Sequence, residues 1–347
     1  MKYSFAGFSS LIAFLLVICI LGYSPVVLAA PAAGKPITLT IPAHATPAYP
    51  DFDSYQRFID RINQDGKGKV EAKFYPSETL YKVKEIVPAL MNGSCEIVFH
   101  TSSHTTGSWP EIGGMSLPFL YKDDDEARAR WKMGSDLMNL LNREMDRKYG
   151  VRVLASGIKP NTRLWTRKKV EEPSDMKGLK IRATGVPDAE AIRAFGGSPN
   201  FMSSAEIYEA LLRGTIDGLT TYPGTVFARN LDEVVTFCID FKPAFHTWGY
   251  QIYVLNKTFN SWPKEVQAIV LRAAAEYDDY NGEIWGKLLN ETIFPRLKKK
   301  IKFITPTPEA MNKFEKLALP TYQIWVKTVD KEFGNKLIKL SKAPLKH

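Results

Sequence analysis

The sequence predicts an α/β protein of two lobes with a cleft between them, crossed by long helices from the C-terminal end. Three observations carry this prediction. Strand-like and helical segments alternate twice as far as Leu255, and the remaining third turns almost wholly helical. The 347 residues also match two domains at roughly 150 residues each. Apolar residues make up 45%, charged residues 24% and aromatics 12%. That balance excludes collagen-like, low-complexity and disulfide-scaffold classes.

The first element is set aside before the fold. Lys2 leads an apolar run from Leu11 to Leu21, and Val27-Leu28-Ala29 offers small residues before a cut. Residues 1–29 read as a secretory signal peptide, with the mature chain starting near Ala30. A bilayer-spanning helix needs about 18 or more apolar residues, and Gly22-Tyr23-Ser24-Pro25 interrupts this run first. Cys19 does not read as a lipid-attachment site, because Ile18 precedes it where a small residue is required.

Ile37 to Ile41 alternates apolar residues with Thr, the pattern of a strand. Asp51 is placed to cap a helix that puts Phe52, Tyr55, Phe58, Ile59 and Ile62 on one face. Val70, Ala72 and Phe74 have strand period. Val83, Ile86, Val87, Leu90 and Met91 then mark a helix that Pro88 should start or kink, ending at Asn92-Gly93. Cys95 to Phe99 is a third strand, and this β-α-β-α-β order implies a parallel sheet with crossover helices. Asp123 caps a long helix to about Met145, and Val151–Leu154 and Arg163–Thr166 are strands.

The grammar repeats with a strand at Lys180–Ala183, helices at Pro187–Phe195 and Ala205–Leu212, and strands at Ile216–Leu219, Val234–Ile239 and Tyr250–Leu255. Pro263 opens a helical pattern from Glu265 to about Lys299 whose only stop signals are Gly282, Gly286 and Pro295. Thr307-Pro308 caps another helix, and Leu319-Pro320 separates it from the final helical segments. A helix long enough to lie across both lobes belongs to both, and the cleft they leave is where small-molecule sites occur.

The formal charge of +9 is spread along the chain rather than clustered with aromatics, so it excludes nucleic acid as the expected partner and suits weak steering of small anions. Cys95 and Cys238 are the only cysteines after the signal peptide and read as two buried thiols. The five histidines include no pair at zinc-helix spacing backed by a third ligand, and His100 and His104 fall in a Thr/Ser-rich stretch read as loop, so no metal and no cofactor are expected. There is no nucleophile elbow, Walker loop or dinucleotide fingerprint. Asp123-Asp124-Asp125-Glu126 reads as a helix start, and Asp217 as a turn residue.

Asp175-Met176-Lys177-Gly178-Leu179-Lys180-Ile181-Arg182 resembles the solute-binding proteins of tripartite ATP-independent periplasmic (TRAP) transporters. Further segments follow in that family's order: Asn92-Gly93-Ser94-Cys95-Glu96-Ile97, Leu117-Pro118-Phe119-Leu120-Tyr121, Gly196-Gly197-Ser198-Pro199, and Glu206 to Leu211 followed by Gly214-Thr215-Ile216-Asp217-Gly218. The likeness runs from about residue 37 to about 340. It implies a two-lobed, type II-like periplasmic binding protein that closes on a small organic acid and delivers it to a membrane permease of a large and a small subunit. Lobe I would hold 30–157 and about 248–285, and lobe II 158–247 and about 286–347.

The resemblance also implies that Arg182 grips the carboxylate, an internal salt bridge being the alternative. A planar guanidinium gives one carboxylate two parallel hydrogen bonds, which Lys cannot. Arg163 matches a second arginine of the cleft, Trp248 and Tyr250 match ligand-facing positions, and His246 is a further candidate. Two departures stand out. Thr220-Thr221-Tyr222-Pro223 occupies the place of an acidic or amide residue before Pro, and Ser203-Ser204 that of Pro and Phe. The Thr220, Thr221 and Tyr222 hydroxyls suit a carboxylate or keto oxygen, and the small Ser203 and Ser204 leave room for a bulkier acid. Three alternatives remain: the receptor of an ATP-driven importer, a sensor subunit, or a secreted hydrolase or lyase using Asp217 or His246.

Overall fold

Among the described residues, eleven strands arrange themselves according to which sides of them are apolar. The computed structural model describes residues 35–345, and the expected signal peptide lies outside them. β1 (Ile37–Pro42) pairs in parallel with β2 (Val70–Tyr75). Leu39, Ile41, Val70 and Ala72 face inward with 5% exposure or less, as a half-buried pair requires. A parallel bridge from Ala43 to Phe99 continues the layer into β3 (Ile97–Thr101). β10 (Tyr250–Leu255) then runs antiparallel between β3 and β4 (Val151–Ala155). β3 and β10 are buried along their whole length, the polar His100, Thr101 and Gln251 included.

The second sheet collects β5 (Arg163–Thr166), β6 (Lys180–Ala183), β7 (Ser198–Phe201), β8 (Gly218–Thr221), β9 (Phe237–Ile239) and β11 (Lys302–Ile304) in the order β11-β9-β5-β8-β6-β7. Both sheets are mixed rather than parallel throughout. The antiparallel strands β10 and β5 have each arrived from the opposite sheet. The chain crosses at residues 156–162 and returns at 240–249, and the two crossings pair with each other at Ile158–Gly249 and Thr162–His246. They approach closely, since a Cβ on Gly249 would stand 1.9 Å from the Ser156 carbonyl oxygen.

Helices follow the expected periodicities with local revisions. In Phe52–Asp65 the buried face is Tyr55, Phe58, Ile59 and Ile62. Asp51 does not cap this helix; its carboxylate is buried and accepts from Tyr55 Oη. Pro88 sits in the first turn of Ile86–Met91, where its missing N–H costs nothing. The single helix expected after Asp123 is two, Asp124–Trp131 and Asp136–Tyr149, each with its own cap (Asp123 and Ser135) and parted at Gly134, whose φ is +84°. β7 and β11 are strands that sequence patterning did not mark.

The C-terminal third spans both sheets. Lys264–Lys287 passes Gly282 and Gly286, and a π-turn at Leu288–Ile293 accommodates Pro295. Pro320 does not end a helix but lies inside Pro308–Val326. That helix buries Met311, Phe314 and Ala318 in the core of the second sheet, and Tyr322 and Trp325 in a core of the first. The last helix, Lys331–Lys342, packs Phe333 and Leu337 into the first sheet's core. Cys95 and Cys238 are free and buried. Among the described residues no helix is long and apolar enough to cross a membrane.

The long helix clamps the first crossing through Asp278. Its carboxylate accepts from the Gly157 N–H at 2.6 Å, the Ser156 N–H at 3.2 Å and the Ser156 hydroxyl. Burial outweighs these donors and pushes Asp278 up to about 6. A carboxyl raised from its unfolded value contributes stability that is present below about pH 4 and is lost as pH rises through about 6. Unfolding free energies of the wild type should therefore fall across that interval by about 3 kcal/mol at most, more steeply than those of Asp278→Asn, at roughly 1.4 kcal/mol per pK unit. Parallel curves for the two proteins would show that Asp278 titrates normally.

Candidate functional site

β6 carries Arg182 between β7 and β8, with Asn200 and Leu219 as its register partners. Only 2% of Arg182 is exposed. Its guanidinium donates to main-chain carbonyls alone: Nε and Nη2 to Met202 O at 3.2 and 3.1 Å, and Nη1 to Thr220 O at 3.4 Å. It forms no ion pair among the described residues, so the alternative of an internal salt bridge falls away. Burial lowers its pKa to about 10, with Asp188 as the largest opposing influence. A cation sealed from water without a directly paired carboxylate is costly, and the group that relieves the cost is an anion.

The guanidinium faces a cavity whose walls come from both sheets. Thr221, Tyr222 and Ser204 lie on the side of Arg182. Opposite stand Tyr49 after β1, Thr101 at the end of β3, and Trp248 and Tyr250 where the second crossing enters β10. Tyr222 packs edge-on against Trp248 at 4.8 Å and lies over Tyr49 at 6.3 Å. Burial raises the Tyr222 and Tyr250 phenols well above their ordinary value, so both stay neutral donors. Trp248 Nε1 is buried without a hydrogen-bond partner. Arg229 adds positive charge nearby, donating to Ser204 Oγ at 3.3 Å with its carbon 5.8 Å from the Tyr49 ring centre. Among the described residues no Asp or Glu lines the cavity. It is a set of donors around one buried cation, suited to holding an anion.

Of the residues singled out in sequence, Arg182, Ser204, Thr221, Tyr222, Trp248 and Tyr250 meet at this cavity, and Arg163, Ser203, Thr220 and His246 stand elsewhere. Arg163 does not reach it: its Nε pairs with Asp240 Oδ1 at 2.6 Å and its side chain stacks toward Phe294. Thr220, the neighbour of Thr221 on a strand, points to the opposite face and donates to the Asp188 carboxylate. His246 is behind the wall, with Nδ1 donating to Ser116 O at 2.5 Å and Nε2 lying 3.3 Å from Asp188 Oδ1. Burial alone would raise Asp188, but His246, Thr220 and the Thr184 N–H hold it below the usual carboxylate range. Thr220, Asp188 and His246 thus position the Arg182 strand. Ser203 caps a turn with Glu206 and lines a separate open groove of about 810 Å³, which shares Ser103, His104 and Thr184 with the cavity.

Patterning missed the wall contributed by His44, Tyr49, Thr101 and His104, which come from loop and strand-end positions and one short helical turn, without periodicity. His44, His100 and His104 converge although 56 residues separate the first two. His100 lies on β3 and His104 in a helical turn, Ser102–Thr105, rather than in a loop. Burial pushes His100 down to about 3 and holds His44 and His104 well below their ordinary value.

Comparison with known proteins gives a consistent result. The family model described as DctP, bacterial extracellular solute-binding protein, family 7, matches residues 43–328. The chain is 28% identical over 236 residues to the 2,3-diketo-L-gulonate-binding periplasmic protein YiaO of Escherichia coli, covering 66% of this chain and 69% of that one. It is 25% identical over 306 residues to the C4-dicarboxylate-binding periplasmic protein DctP of Rhodobacter capsulatus, covering 85% and 88%. Among solved structures, a TRAP periplasmic solute-binding protein of Haemophilus influenzae with bound L-gulonate superposes with a TM-score of 0.78 at 25% identity, over 88% of this chain and 99% of that one.

Proposed function

The chain belongs to the bacterial extracellular solute-binding proteins of family 7, and from that premise we propose that it captures a small organic acid by its carboxylate and hands it to a TRAP membrane permease. The observation that carries the carboxylate is Arg182, buried, donating to two backbone carbonyls and facing a cavity without acidic residues. The relatives described above are named for gulonates or C4-dicarboxylates, all of which bear that group. Hydroxyls of Thr221, Tyr222 and Ser204 would take the acid's remaining oxygens, and Trp248 its carbon face.

Capture works by closure. The lobes proposed are 30–157 with 248–285, and 158–247 with the segment after 286, the last helix Lys331–Lys342 counting with the first lobe because its apolar face is buried there. The paired crossings at 156–162 and 240–249 serve as the hinge. An open form would leave Arg182 hydrated; a closed form without ligand buries it unpaired, so ligand and closure stabilise one another. Residues 1–29 export the chain to the periplasm.

A thermal-shift screen of the mature protein tests this reading. An acid that binds only the folded chain, at 100 times its dissociation constant, adds about 2.7 kcal/mol of stability. The expected result is a raised midpoint with one or more of the keto, sugar or dicarboxylic acids and none with the corresponding amide. Equal shifts with acid and amide, or shifts only with neutral sugars, would remove the carboxylate from the proposal.

A further inference from the structure

We propose that His44, His100 and His104 form a three-imidazole site for a divalent transition-metal ion of the Zn²⁺ type, with its fourth position open to the solute cavity. One donor nitrogen from each ring lies within 4.8 Å of the other two. Nitrogens sharing a tetrahedral zinc at bonds of 2.0–2.1 Å stand about 3.3–3.4 Å apart. The Nδ1 atoms of His44 and His100 are already 3.3 Å apart, and an adjustment of about 1.5 Å by His104 completes the triangle.

The surroundings match a metal centre in three further respects. Thr101 Oγ1 lies 3.0 Å from His44 Nε2; accepting that N–H leaves the Nδ1 lone pair free, which is how outer partners fix ligating histidines. His104 Nδ1 is sealed from solvent and makes no hydrogen bond among the described residues. Three nitrogens and no carboxylate select zinc-like ions over calcium or magnesium. His44 and His104 also line the Arg182 cavity. The ion would sit against it with three protein ligands and one position uncovered, the arrangement of open rather than structural zinc sites. The site stands by itself; only the identity of the fourth donor, an oxygen of the bound acid, rests on the receptor reading. A neutral N–H···N bond between His44 and His100 is the competing account of the same 3.3 Å contact.

The test uses tag-free mature protein stripped with chelator and titrated with ZnCl₂ alone, with bound metal counted by elemental analysis. One ion per chain is expected at micromolar or tighter affinity. His44→Asn and His104→Asn should each weaken it at least about 100-fold, more than the loss of an outer-shell partner. Co²⁺ in place of zinc should give the intense visible bands of a four-coordinate nitrogen site, a readout on the wild type that does not depend on any variant folding. Absence of saturable binding below about 100 μM, weak six-coordinate Co²⁺ bands, or a change below about threefold in the folded double variant would overturn the site. The acid screen repeated with chelator present reads the receptor proposal separately. An acid-induced shift there, without zinc binding, sinks the metal site alone; zinc binding without any acid shift supports the metal site and sinks the receptor reading.

Discussion

Arg182→Ala should weaken binding of the organic acid by roughly 30-fold to several thousandfold. Truncating one partner of a buried charge pair costs about 2 to 5 kcal/mol, and each 1.4 kcal/mol is a factor of ten. A micromolar ligand is held by about 8 kcal/mol in total, so the upper end of this range removes measurable binding. The size of the effect follows from the surroundings of the guanidinium. Its contacts in the protein are backbone carbonyls, and among the described residues no other Arg or Lys lines the cavity, Arg229 standing behind Ser204 and Tyr49. Arg182→Lys should recover little, because an ammonium does not match the two oxygens of a carboxylate with a planar fork. Isothermal titration with the acid found by thermal shift measures both variants. The ligand-free thermal midpoint, read alongside, should stay near the wild-type value, since the substitution also removes a buried charge that costs stability. A loss below about threefold would take Arg182 out of the site.

The sequence yielded the elements more readily than their arrangement. Period-two runs such as Leu39 and Ile41, and the three- and four-residue spacing of Tyr55, Phe58, Ile59 and Ile62, report burial directly, and their elements stand where expected. β7, with Pro199 and a largely exposed surface, and the three-residue β11 carry too little apolar signal to be read. Pro320 misled because tertiary burial of Thr321, Tyr322 and Trp325 holds the helix together past a residue that lacks an N–H. At the site, the motif around Arg182 pointed to a charge that lines the cavity. Thr220 and Thr221 show why neighbouring candidates fail: a strand sends adjacent side chains to opposite faces, so one lines the cavity and the other holds Asp188. Arg163 found Asp240, a partner 77 residues away that no local pattern announces. The His44 wall is a product of topology, since the bridge from Ala43 to Phe99 sets it beside β3.

Asp51→Leu and Lys159→Met should each alone cost about 3 to 5 kcal/mol of folding free energy, whereas the two combined should recover most of that loss. Lys159 lies in the first crossing, and its ammonium and the Asp51 carboxylate are 2.5 Å apart with both side chains 0% exposed. Asn281 of the long helix accepts from the same ammonium, and Tyr55 Oη donates to the carboxylate at 3.0 Å. The Tyr55, Tyr277 and Trp285 rings stand 5.0 to 5.7 Å from the ammonium nitrogen. Burial pulls the Lys159 pKa down while Asp51 pushes it back up, so the ammonium depends on its partner. Removing either residue strands a charge among aromatic rings, whereas removing both leaves apolar side chains of similar volume in an apolar setting. Denaturant unfolding of the wild type, the two single variants and the double variant, closed into a double-mutant cycle, should give a coupling energy of at least about 3 kcal/mol, at or above the top of the range usual for residues in contact. Additive losses would mean that the two groups do not form a pair. The pair ties the crossing to the helix that begins after Asp51 and to the long helix through Asn281. Its loss should therefore show in the acid titration as well, as weakened binding by a chain whose Arg182 is intact.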